Sequence, residues 1–203
     1  MAFNGKILSN VYNINKYTPK DSDSFFVDTN VWFWLTYSKG IPSNRQYLQC
    51  YNQFINSALG KNATLFHSGL SLAELAHIIE KSEREIHEKV VNKKIGTKDF
   101  RHIYSNERNA AINEIKTSWL QVESLATQIE ISVCEELTNE CVNLMPNNTL
   151  DGYDLMIHES MKSSGVLNII TDDGDYTTVD GINVYTSNAN VLAAAASQNK
   201  LAN

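Results

Sequence analysis

Phe25-Phe26-Val27-Asp28-Thr29-Asn30-Val31 is a short apolar run that stops abruptly on an acid, a hydroxyl and an amide. Runs of this length rich in aromatic and β-branched residues read as a strand buried on both faces, as in parallel sheets. An aspartate at the carboxyl end of such a strand lies where open α/β sheets build their ligand sites. The reading of the rest of the chain works outward from this segment.

The composition sets bounds. The chain has 203 residues, enough for one sizeable core with an elaboration, and its 42% hydrophobic and 20% charged content is ordinary for a globular protein. A formal charge of −6 argues against coating nucleic acid by bulk attraction. It leaves room for an enzyme that cuts nucleic acid at an acidic, metal-loaded site, because bound cations reverse the local field. Cys50, Cys134 and Cys141 lack the number and spacing of a disulfide framework or zinc site and read as buried thiols in a reducing cytoplasm. The first 24 residues carry Lys6, Lys16 and Lys20 without an apolar segment, so neither a signal peptide nor a membrane span is expected.

Residues 1–24, rich in Asn, Lys and Tyr, read as an irregular N-terminal arm, with one domain over 25–203. Strands are expected at Phe25–Val27, Thr64–Phe66, Ile129–Val133, Val166–Thr171 and Val184–Tyr185, separated by helical patterns. These patterns cover Tyr47–Leu59, the segment opened by Ser71-Leu72-Ala73-Glu74 in capping-box spacing, Glu135–Leu144 and about 150–164, with Gly165 as a stop. An Ala-rich helix is expected after Ser187. Residues 81–128 form a helical insertion. Its first part, Lys81 to Arg108, holds eight Lys or Arg against five acids, a net +3 against −9 for the remainder. The second part carries an apolar stripe at Ile112, Ile115, Trp119, Val122 and Ala126. Strand–helix alternation of this kind implies a three-layer α/β/α fold on a parallel sheet of about five strands.

Four acids fall where that fold converges: Asp28 after the first strand, Glu74 in the first turn of the next helix, Asp154 near the start of the 150–164 helix, and Asp173 after the fourth strand. Carboxylates so gathered call for a hard divalent cation, and with no His or Cys among them Mg²⁺ or Mn²⁺ suits the set better than zinc. Such an ion supplies hydroxide and stabilises charge in phosphodiester hydrolysis. Each acid also has a bland reading. Asp28 and Asn30 suit helix capping, Glu74 a capping box with Ser71, Asp151 an N-terminal cap, and Asp173 and Asp175 a turn around Gly174. Asp154 resists this treatment, because it shares a helical face with Ile157 and Met161 that would otherwise pack inward. His158, four residues on, reads as structural, and Trp32, Phe33 and Trp34 as core or interface.

In Phe26-Val27-Asp28-Thr29-Asn30, Ser71-Leu72-Ala73-Glu74-Leu75, Tyr153-Asp154-Leu155-Met156-Ile157 and Thr171-Asp172-Asp173-Gly174-Asp175-Tyr176, the chain resembles the PIN-domain ribonucleases, which include VapC-like toxins. Order and context match from about Phe25 to Val184. The resemblance implies a Mg²⁺- or Mn²⁺-dependent ribonuclease with Asp28, Glu74, Asp154 and Asp173 as metal-binding acids. Thr29 or Asn30 would orient the first acid, with Asp175 and Asp151 auxiliary. Asp172 beside Asp173 leaves open which of Asp172, Asp173 and Asp175 faces the metal. It also implies an antitoxin protein as partner, and a homodimer through the long helix's stripe or the Ala-rich tail. Lys93, Lys94, Lys98 and Arg101 are candidates to steer an RNA backbone, against the alternative of a solvated face. Two rivals stay open, a non-catalytic PIN-like binding module and a structure-specific DNA nuclease.

Overall fold

The computed structural model describes residues 3–202. Its order is β1 (Asn10–Asn13), β2 (Ser24–Val27), α1 (Thr29–Thr36), α2 (Gln49–Gly60), β3 (Thr64–Ser68), α3 (Gly69–Val91), α4 (Thr97–His102), α5 (Ser105–Leu125), β4 (Thr127–Ile129), α6 (Glu135–Leu144), α7 (Gly152–Ser163), β5 (Asn168–Ile170), β6 (Asn183–Thr186), α8 (Ala189–Ser197) and β7 (Leu201–Ala202). The strands form one sheet in the order β4-β3-β2-β5-β6-β1-β7, parallel at every pairing.

The apolar run behaves as its pattern demands. Phe25 and Val27 enter a core with Trp32, Tyr51, Ile55, Leu75 and Ile79 from α1, α2 and α3. Phe26, one residue out of phase, enters the opposite core with Leu155, Ile157 and Met161 of α7 and Ile169 of β5. A side-chain period of two puts neighbours on opposite faces, and helices on both faces make the whole run apolar. Trp32 is fully buried, and Phe33 and Trp34 pack partly buried beside it, so these aromatics belong to the core.

Seven strands stand among the described residues, where about five were expected. The extra two lie at one edge. Asn10–Asn13, inside the segment expected as an irregular arm, pairs in parallel with β6 and β7. Its apolar content is a single buried Val11 followed by Tyr12, too little to signal a strand. The third expected strand is shifted to Thr127–Ile129, with Ile129 its one buried residue.

The 81–128 segment holds the second half of α3, then α4 and α5. Its stripe is spent internally: Val122 is buried in the core of the α1–α3 face, and Ile115, Trp119 and Ala126 pack against it. Ile112, the remaining residue of the stripe, lines a groove between α3 and α5. In the Ala-rich helix α8, Val191 and Ala195 are likewise covered, by Ile7 and Val11. Of the cysteines, Cys141 is buried, Cys50 half-buried and Cys134 exposed, which corrects the expectation of three buried thiols. No helix among the described residues is long and apolar enough to cross a membrane.

Helix ends fix where the acids stand. Ser68, not Ser71, caps α3; its side chain and that of Ser71 exchange bonds with each other's backbone N–H. The helix therefore starts three residues earlier than the capping-box reading gives, and Glu74 falls in its second turn. Asp151 caps α7 by accepting from the N–H groups of Tyr153 (2.9 Å) and Asp154 (3.0 Å). Gly165 ends the same helix at φ +71°, with Gly165 N–H bonded to Lys162 O and Val166 N–H to Met161 O, a Schellman closure.

Candidate active site

The strand order reverses between β2 and β5. From β2 the chain moves outward through β3 and β4, then returns to lay β5 against the other side of β2. Ligand sites of open α/β sheets form at the carboxyl ends of strands flanking such a reversal. Val27 pairs with Ile170, so the next residues, Asp28 and Thr171, emerge side by side. The Thr171 hydroxyl donates to Asp28 Oδ2 at 2.6 Å and bridges the reversal point.

The other acids converge on this bridge. Tyr176 OH donates to Asp154 Oδ1 at 2.8 Å, and Thr29 Oγ1 donates to Glu74 Oε2 at 2.6 Å. Asp173 N–H donates to Thr171 Oγ1, and Asp173 Oδ1 accepts from the N–H of Asp175, both at 2.8 Å. The Asp175 carboxylate itself accepts from the Thr149 hydroxyl. Asp172 turns away to accept from Tyr51 OH at 2.6 Å, so the Asp172–Asp175 loop presents Asp173 to the cluster.

The electrostatics are those of crowded, partly dehydrated carboxylates. Asp28 is 6% exposed. Burial pushes its pKa up to about 7; the Thr171 bond opposes the rise, while the charges of Asp173 and Glu74 add to it. Asp154 is pushed up to about 8 by burial, then by Asp28, against the bond from Tyr176, with smaller additions from Asp151 and Glu74. Burial likewise raises Glu74 and Asp173, each with a further push from Asp151. Among the described residues, none of Asp28, Glu74, Asp151, Asp154, Asp173 or Asp175 has an ion-pair partner. Uncompensated negative charge held by neutral hydroxyls is a donor set for a hard, oxygen-binding cation. Among the described residues no three His, Cys, Asp or Glu side chains stand ready at metal-ligand spacing, so holding an ion requires the carboxylates to draw inward.

The structure redistributes several expected roles. Thr171 orients Asp28 through its hydroxyl and the backbone N–H of the exposed Asn30 adds to this, while Thr29 orients Glu74 instead. Asp28 occupies the N-cap position of α1, but its side chain makes no capping bond. His158 is buried and pairs with Glu159 at 2.9 Å, while Lys162 reaches Glu159 from the other side, so this group lies apart from Asp154's bonds. Thr171 and Tyr176 were not singled out as site residues. The hint for Thr171 is a hydroxyl where a fully apolar strand ends.

The four basic candidates separate. Lys93 and Lys94 lie beyond the far end of α3, about 25 Å along its axis from Glu74 at 1.5 Å per residue. Lys94 there pairs with the buried Glu88. Lys98 is exposed on α4. Arg101 folds back to form a two-pronged pair with Glu80 and, with Glu74, lines a groove between α3 and α5.

The PIN domain family model matches residues 25–182. The chain belongs to the PIN-domain family. The match begins at β2 and ends as β6 begins, so it contains all six acids and omits the β6-β1-β7 edge. PIN domains are in general nucleases and typically use divalent metals. Among solved structures, the fold is similar to a chain in the complex titled VapBC2 from Rickettsia felis bound to a DNA fragment from their promoter. The TM-score is 0.50 at 16% identity, over 80% of this chain and 98% of that one. No curated protein matches the sequence.

Proposed function

We propose that this PIN domain is a Mg²⁺- or Mn²⁺-dependent endoribonuclease. Asp28, Glu74, Asp154 and Asp173 hold the ion, and Asp151 and Asp175 form the rim. The observation that carries the reading is the set of mutually repelling, hydroxyl-held carboxylates at the reversal point of the sheet, with no Lys, Arg or His paired to them among the described residues. When bound, a divalent ion supplies hydroxide at neutral pH and polarises the phosphoryl oxygens. The chain's own part is positioning. Thr171 fixes Asp28, Tyr176 fixes Asp154 and Thr29 fixes Glu74, each through one hydroxyl bonded to one carboxylate oxygen.

The similarity to a toxin–antitoxin complex supports taking this chain as the toxin half of such a pair, with an antitoxin covering the acidic edge. The rival, a binding module without catalysis, has one observation in its favour: among the described residues no three acids are already set at ligand spacing. Cleavage of a mixed RNA pool with and without Mn²⁺ or Mg²⁺, by wild type and Asp28→Asn, decides between them, with single-stranded DNA in parallel. Metal-dependent RNA cleavage that vanishes in a folded Asp28→Asn protein supports the proposal. A well-folded wild type that neither cleaves nor gains thermal stability from the ions leaves the binding module standing, and a preference for DNA moves the substrate.

A further inference from the structure

A groove of about 720 Å³ runs between α3 and α5, directly continuous with the acidic cluster. Glu74 and Asp151 form one end. Six residues further along α3, about 9 Å at 1.5 Å per residue, Glu80 marks the other end, where Arg101 and Arg108 meet it. The two arginines are not equivalent. Arg101 is held by both Glu80 oxygens. Arg108 has no ion-pair partner among the described residues, and its Nε is buried without a hydrogen-bond acceptor. A buried guanidinium donor left unmatched is costly unless a ligand supplies the acceptor.

The groove wall between its ends is apolar. Ile112 and Ile115 of α5 line it, and Tyr153 stands at the acidic end. Tyr153 is 52% exposed, on a helix turn capped by the rim acid Asp151. An exposed aromatic ring at one end of an apolar wall and a guanidinium without an ion-pair partner at the other suit the base of one nucleotide and the phosphate of a neighbouring one. The base takes the ring and wall, and the phosphate takes the fork. Paired bases in a duplex cannot offer their faces in this way, so the strand must be single.

We propose that the α3–α5 groove holds the single-stranded RNA next to the scissile bond, with Arg108 on a neighbouring phosphate and Tyr153 stacked on an unpaired base. The proposal rests on the ribonuclease reading for its substrate, but its test measures binding alone. Binding of a short fluorescent single-stranded RNA is followed by anisotropy in Mg²⁺ on the Asp28→Asn background. Arg108→Gln is expected to weaken binding about tenfold and to lower the salt slope by about 0.7, the share of one phosphate on a single strand. Arg108→Lys, which keeps the charge but not the fork, falls between. Tyr153→Ala, at an exposed site, weakens binding at least fivefold, as expected for loss of one stacked base worth about 1–3 kcal/mol. Lys116→Ala, which removes an exposed charge from α5 outside the groove, serves as the control and leaves affinity within twofold. Equal affinity of parent, folded Arg108→Gln and Tyr153→Ala overturns the proposal, as does equal affinity for double-stranded RNA. If the variants lose binding while the wild type cleaves nothing, the groove stands and the hydrolytic reading falls. If the wild type cleaves but the variants bind normally, the groove falls alone.

Discussion

Replacing Asp28 by Asn should make the metal-free protein more stable while abolishing its proposed activity. Asp28 in the folded chain titrates at about 7 against an ordinary 3.8. At about 1.4 kcal/mol per pH unit, keeping it ionised at pH 8 costs the folded state up to about 4 kcal/mol. The sign follows from the direction of the shift. A carboxyl whose folded pKa is raised binds its proton more tightly when folded, so its contribution is most favourable below about pH 4 and is lost as the pH rises through about 7. Asparagine is nearly isosteric, can still accept the Thr171 hydroxyl and carries no charge. Water entering the cleft halves such costs, leaving about 2 kcal/mol, or about 4–8 °C in Tm for a chain of this size. Thermal melts in chelator at pH 5 and pH 8 measure this. The expected result is a variant that melts above wild type at pH 8, with the gap at pH 5 reduced to about 40% of that, because an unfolded aspartate is already ionised at pH 5. Mn²⁺ at pH 8 then raises the wild type far more than the variant. A variant destabilised equally at both pH values would refute the claim that Asp28 is a strained, cation-seeking carboxylate.

Thr171→Val removes the hydroxyl that spans β2 and β5 and leaves the Asp173 N–H without its acceptor. A loss of about 1–3 kcal/mol in denaturant melts is expected, together with a larger fall in metal-dependent cleavage than the stability change explains. Tyr176→Phe removes a bond that lowers the pKa of Asp154, so proton competition with Mn²⁺ should strengthen and the pH midpoint of Mn²⁺ binding, followed by titration calorimetry, should move to higher pH. An unmoved midpoint would show that Asp154 is not the group whose proton the ion displaces.

The positions of Asp28 and Asp173 are legible because a buried strand cannot continue through an acid, so the change of residue type marks the strand end itself. Asp154 is legible because a charge on the inward face of a helix needs a reason. The hydroxyls that hold these acids are not legible in the same way. Thr171 meets Asp28 across 143 residues of sequence, and Tyr176 meets Asp154 only because a 3-10 turn at Asp175–Thr178 folds beneath α7. The shifted start of α3 has a local cause: two serines three residues apart both suit an N-cap, and only the length of β3 shows that Ser68 takes the role. Arg108 was hidden in a basic segment of mixed sign. Its distinction from Arg101 lies in which of them Glu80 grips, a fact of packing between α3 and the start of α5.

The parallel pairing of Val11 with Val184 joins residues 173 apart, whereas β2 and β3 join Phe25 to Leu65. The β2–β5 pairing is nearly as distant in sequence, with Phe26 opposite Ile169, so what sets the β1 edge apart is its packing and not its loop length. Its small cluster of Ile7, Val11, Val191 and Ala195 is separate from the two cores that hold β2 and β5. Native-state hydrogen exchange should therefore find amides of β1 and β7 exchanging through a partial opening that leaves β2 and β5 protected. The segment matched by the PIN family and the β1–β7 margin are thus packed separately, so the margin can fray without disturbing the acids.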